Sequence, residues 1–162
     1  MAQLVMAAAC IPAVVEQYSD MVLRIAYQNM QSRADAEDVA QDVFLRLLGQ
    51  PAFADETHLK AWLIRVTINR CKDVLKSAWR RKTVPIEQDW PTMDNPDHAI
   101  MEELFQLKPD ERDILYLFYY EKYTIAEIAQ MLGKNLNTVN SRLSRARKKL
   151  RDILTEGDTD HG

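Results

Sequence analysis

Glycine, proline, cysteine and histidine are all scarce, at four, six, two and three of 162 residues. So few chain breakers, combined with few β-branched runs and abundant Ala, Leu, Glu, Lys, Arg and Gln, exclude a turn-rich β protein and predict an all-α fold. Cys10 and Cys71 stand far apart, with no CxxC pair and no histidine at ligand spacing. That excludes a zinc ribbon and a disulfide scaffold, and a reduced, cytoplasmic chain is expected. His58, His98 and His161 are isolated. With no phosphate-binding glycine loop, activated nucleophile or metal cluster, the sequence predicts no enzyme, no metal and no cofactor. Long apolar runs are missing too. Leu4 to Val15 is apolar but too short for a bilayer, contains Pro12 and lacks a basic start, so it reads as the first turns of a packed helix, without membrane insertion.

What is present is helical periodicity, with enough apolar residues (47%) to build cores without staples. Val14, Tyr18, Met21, Val22, Ile25, Ala26 and Met30 mark a first helix. A second is expected from Asp35 as N-cap to Gly49, with Val39, Val43, Phe44, Leu47 and Leu48 inward. A third should follow Thr57, burying Leu59, Trp62, Leu63, Val66, Val74 and Leu75 and reaching about Arg81. Three such helices can enclose one core. Residues 83–98, TVPIEQDWPTMDNPDH, hold three prolines, four acids and no Lys or Arg, which predicts an extended acidic linker. Beyond it, Asn95-Pro96 and Pro109 should each open a helix, the latter ending near Tyr120. The expected organisation is an N-terminal domain 1–82, the linker 83–98, a C-terminal domain 99–156 and a tail 157–162.

Charge is distributed unevenly. The formal net charge is −3, yet Lys60 to Lys82 carries eight basic residues against Asp73 alone, and Lys134 to Arg151 carries seven with no acid. Fifteen of the 21 basic residues therefore occupy two windows, a footprint expected for two contacts with a polyanion. The second window has a recognisable frame. Thr124 and Glu127 form a capping-box pattern, Ile125, Ile128, Ala129 and Leu132 give a short helix one inner face, and Gly133 allows a sharp stop. Asn135 can cap the next helix, in which Val139, Leu143, Ala146 and Leu150 recur at i, i+4, i+7 and i+11. Asn137, Ser141, Ser144, Arg145 and Lys148 then face outward, with Asn140 beside them. Short helix, glycine turn and longer helix make a helix-turn-helix, and amides, hydroxyls and arginine suit base edges while Lys and Arg suit phosphates. Rival readings of such a basic helix are an acidic protein partner or a membrane surface.

Three stretches together resemble the extracytoplasmic-function sigma factors of bacterial RNA polymerase: DAEDVAQDVFLRLL (35–48), LKAWLIRVTINRCKDVL (59–75) and TIAEIAQMLGKNLNTVNSRLSRARKKLRDIL (124–154). The resemblance implies that the first docks on core RNA polymerase through Asp35, Glu37, Asp38, Gln41, Asp42 and Arg46. The second is similar to the helix that opens the minus-10 promoter element, implying Arg65, Asn69, Lys72, Lys76, Trp79 and Arg80 as its DNA-binding residues, with Asn69 reading an extruded base. The helix-turn-helix would read the minus-35 element of promoter DNA through Asn135, Asn137, Asn140, Ser141, Ser144, Arg145 and Lys148. An anti-sigma factor is a further partner that the family implies. Departures from the family pattern are EKYT after Tyr120, where a glycine is common, and Asn137 and Asn140, where glycine and a basic residue are common. The alternative function is a free-standing helix-turn-helix regulator binding duplex DNA, usually as a dimer.

Overall fold

The computed structural model describes residues 4–5, 11–50, 52–81 and 106–159. The expected acidic linker, and all but the end of the helix expected to open at Asn95-Pro96, lie outside them. The chain divides into two units, Met1–Pro91 and Thr92–Gly162.

In the first unit, helices α1 (Ile11–Met30), α2 (Arg33–Leu47) and α3 (Glu56–Arg81) pack on one another. Their shared core is Val22, Ile25 and Ala26 of α1, Val39, Val43 and Leu47 of α2, and Leu59, Leu63, Ile64 and Ile68 of α3. Caps set the boundaries. Ser32, not Asp35, is the N-cap of α2, its hydroxyl accepting from the Asp35 N–H at 3.3 Å. Both are good capping residues, and the one a turn earlier wins because Ala36 is then carried into the core. Asp55 caps α3 through the His58 N–H at 2.8 Å, so that helix starts ahead of Thr57.

The burial of two stripes also differs from expectation. Leu48 is 60% exposed, just past the end of α2. On α3, Trp62, Val66, Val74 and Leu75 are half-buried, while Thr67 and Cys71 are fully buried. Thr67 is tolerated inside because its hydroxyl donates back to the Leu63 carbonyl at 2.6 Å, leaving no orphan donor. Trp62 packs edge-on against Phe53 at 5.6 Å. Phe53 belongs to β2 (Ala52–Phe53), which pairs antiparallel with β1 (Leu4–Val5), so the apolar start of the chain is a strand at Leu4–Val5 and becomes helix from Ile11.

The second unit holds α4 (Pro109–Leu115), α5 (Ile125–Leu132) and α6 (Leu136–Thr159), with a π-helical turn, Tyr116–Tyr120, extending α4. Its core is Ile114, Leu117, Ile128, Val139, Leu143 and Ala146. The wide turn closes with the Glu121 N–H on the Tyr116 carbonyl at 3.1 Å, and the Tyr116 hydroxyl donates to the Glu121 carboxylate at 2.7 Å. The chain then reverses through Lys122 at φ 63°. A side chain in this left-handed conformation is strained by its Cβ. Replacing Lys122 by glycine is expected to raise stability by up to about 1 kcal/mol, the strain relief exceeding glycine's entropy cost, measured as a higher denaturation midpoint.

Candidate nucleic-acid interface

The helix-turn-helix is built by local chemistry. The Thr124 hydroxyl accepts from the Glu127 N–H at 3.1 Å, and the Glu127 carboxylate accepts from the Thr124 N–H at 3.0 Å, so both ends of the capping box are made. The Thr124 backbone N–H, and secondly its hydroxyl, hold the Glu127 carboxyl below its ordinary value of 4.5. A depressed carboxyl stabilises the fold above pH 4.5, and that contribution disappears as the pH falls through the lowered value. Gly133 ends α5 in the left-handed conformation, φ 64° and ψ 37°, with its N–H on the Ala129 and Gln130 carbonyls. Two residues later the Asn135 side chain accepts from the Asn137 N–H at 2.8 Å and starts α6.

Val139, Leu143 and Ala146 are buried against α4 and α5, which fixes how α6 is rotated. Asn135, Asn137, Asn140, Ser141, Ser144, Arg145 and Lys148 are all exposed as a result. The side chains they offer are those that hydrogen-bond to base edges near the start of the helix and neutralise phosphates further along. Arg147 is different. It stacks over the Phe118 and Tyr119 rings, at 5.0 and 5.4 Å, and its Nε donates to the Tyr119 hydroxyl at 2.5 Å.

On α3, Arg65, Asn69 and Lys76 are exposed and Lys72 is half-buried. Their i, i+4, i+7, i+11 spacing places them in one line opposite Leu63, Ile64 and Thr67. Trp79 and Arg80 fall on the last turn, and their side chains lie outside the described residues.

Not all of the α2 residues stand open. Asp38, Gln41 and Arg46 are exposed, Glu37 pairs with Arg33 at 3.1 Å, and Asp35 is half-buried in the first turn. Asp42 forms an ion pair with Arg70 of α3, each about one-third exposed, and so ties the two helices together. Sequence reading missed Leu45, 59% exposed, and placed Leu48 inward. The signal was available. At 100° per residue both leucines project away from Val39 and Val43.

Among the described residues no group of three or more His, Cys, Asp or Glu side chains is placed to hold a metal ion, and no helix is long and apolar enough to cross a membrane.

Two family models match: Sigma-70 region 2 over residues 14–81 and Sigma-70, region 4 over residues 97–150. The ECF RNA polymerase sigma factor SigM of Mycobacterium tuberculosis is 31% identical over 137 residues, covering 81% of this chain and 70% of that one. The RNA polymerase sigma-E factor of Streptomyces avermitilis is 31% identical over 158 residues, covering 90% and 86%. Among solved structures, the sigma factor RpoE of Bartonella quintana, in complex with the anti-sigma factor NepR, matches with a TM-score of 0.70 at 20% identity, over 89% of this chain and 96% of that one. CnrH, in complex with the cytosolic domain of CnrY, matches at 0.66 and 22%, over 93% and 90%. These two share the fold. Two sigma-70 regions in the family's order, with relatives of this identity along most of the chain, show that the protein belongs to the extracytoplasmic-function RNA polymerase sigma factors, non-enzymatic subunits that direct the polymerase to promoters through the minus-10 and minus-35 elements.

Proposed function

We propose a residue-level division of this activity. Residues 1–82 form the module for core polymerase and the minus-10 element, 83–98 connect, 99–156 form the minus-35 module, and 157–162 are a tail. Core polymerase is engaged by the α2 face of Asp38, Gln41 and Arg46 with Asp35 and Glu37, to which Leu45 and Leu48 add an apolar component. Asp42 joins it at the edge while holding Arg70. The line of Arg65, Asn69, Lys72 and Lys76, continued by Trp79 and Arg80, takes the separated strand of the minus-10 element, with Asn69 against an extruded base. Extrusion costs a few kcal/mol, which a basic groove and a fitted polar contact offset. Asn135, Asn137, Asn140, Ser141, Ser144, Arg145 and Lys148 read the minus-35 duplex.

The observation that carries this division is the second basic line, on α3, beside the docking face of α2 in the same unit. A free-standing duplex-binding regulator has no use for it. An anti-sigma factor is the further partner, supported by the complex of RpoE with the anti-sigma factor NepR. The cytoplasm is the compartment in which core polymerase is met. Footprinting tests the reading: the purified chain alone should leave a promoter duplex unprotected, and with core polymerase both elements should be covered. Protection of a palindromic duplex by the chain alone would favour the free-standing regulator.

A further inference from the structure

Of the seven cations crowded between Lys134 and Arg151, two are already neutralised from within the protein. Arg142 Nη1 lies 3.3 Å from Asp110 Oδ2, and Lys149 Nζ lies 3.0 Å from Glu111 Oε1. Arg142 and Lys149 are seven residues apart on α6 and so stand in one line, and their acids are consecutive in the first turn of α4. The line is on the α4 side of α6, away from Ser141, Ser144 and Lys148. The Glu111 side chain is only 7% exposed and also accepts the Lys108 backbone N–H at 3.2 Å. Lys149 therefore cannot swing to a phosphate without stranding a buried carboxylate. The carboxylate of the other pair is more open to solvent, Asp110 being 42% exposed, so releasing Arg142 strands no buried acid.

We propose that Asp110 and Glu111 are specificity-determining residues, which hold Arg142 and Lys149 out of the phosphate contacts made by the reading helix. Phosphate contacts add affinity for any sequence, whereas base-edge contacts discriminate. By withdrawing two cations that sit on the flank of α6, the acids keep non-specific affinity low and leave the choice of promoter to the base-facing side chains. The inference rests on the reading of α6 as the minus-35 helix.

The test is the salt dependence of binding by core polymerase carrying the full chain, measured on a duplex with the minus-35 element and on an unrelated duplex. Each phosphate neutralised contributes about 0.9 to the slope of log K against log salt. Asp110→Asn with Glu111→Gln releases both cations, so the slope should steepen by up to about 1.8, and the preference for the minus-35 duplex should fall. Exchanging both partners of both pairs, with Arg142→Gln and Lys149→Gln added, should leave the wild-type slope. This second variant strands no charge and decides the matter if the first folds poorly. A slope that becomes shallower in the four-residue variant, or one unchanged in a folded acid-neutralised variant, overturns the proposal. Arg145→Ala with Lys148→Ala serves as the control. If that pair fails to make the slope shallower, it is the assignment of α6 to DNA that is wrong.

Discussion

Leu143→Ala is expected to unfold the second unit under conditions in which the first remains folded. Leu143 is 1% exposed in the middle of α6, in the stripe with Val139 and Ala146 that packs on α4 and α5. Truncating a leucine so placed costs about 2–5 kcal/mol, the lost transfer energy plus that of the cavity. Whole domains have only about 5–15 kcal/mol of stability, and small ones sit at the low end. The same stripe sets how the exposed residues of α6 are presented, so minus-35 binding should be lost together with the helix. The tryptophans allow the two units to be followed separately in the intact chain. Trp62, Trp79 and Trp90 all precede Thr92, where the second unit begins, so fluorescence reports the first unit while helical circular dichroism reports both. The dichroism should acquire an early transition in urea, and the fluorescence midpoint should stay where it is in the wild type. A common shift of both signals would mean that the units fold as one.

Asn69→Ala should lower initiation on a closed promoter by about 5- to 150-fold, corresponding to about 1–3 kcal/mol for a lost amide contact to a base. Asn69 is exposed on α3, and alanine is the best helix former, so the fold should be unaffected. The amide offers both a donor and an acceptor, which suits the Watson–Crick edge of a base taken out of its stack. On this account the loss falls on strand capture. A template already unpaired across the minus-10 element needs little capture energy to separate its strands, and initiation there should recover most of the deficit. An equal deficit on both templates would place Asn69 in docking on the polymerase instead, and no deficit would remove it from the DNA contacts.

How much of this was legible in the sequence depends on how local the physics is. The α5–turn–α6 motif could be read because its signals lie within a few residues of one another: Thr124 with Glu127, Gly133 in a left-handed turn, Asn135 capping Asn137. The beginning of α2 was misplaced because Ser32 and Asp35 have equal capping chemistry, and only the burial of Ala36 separates them. On α3 an apolar count favoured Trp62, Val74 and Leu75, whereas the fold buries Thr67 and Cys71 more deeply, the hydroxyl of Thr67 being satisfied within its own helix.

Contacts over long separations were invisible. Glu111, Arg112 and Asp113 are three charged residues in a row, yet all three are buried. Burial pulls the Arg112 guanidinium below its ordinary pKa, and Asp113 partly restores it. The cations paired with Asp110 and Glu111 lie in another helix, 32 and 38 residues further on. In the same way the acidic character of α2 was evident, but nothing in its own residues announced that Asp42 is joined to Arg70 of α3. The exposure of the outward residues of α6 was legible from residue type and helical phase; the ion-pair partners in other helices were not.

This chain confers promoter choice on a polymerase through two separate DNA surfaces. Run-off transcription with bacterial core polymerase, on the promoter upstream of the chain's own gene, tests it most directly by comparing wild type with Asn69→Ala and Arg145→Ala. Initiation that requires the protein and falls in both variants is the predicted result. Initiation indifferent to both substitutions, or none across a library of promoters, would contradict it.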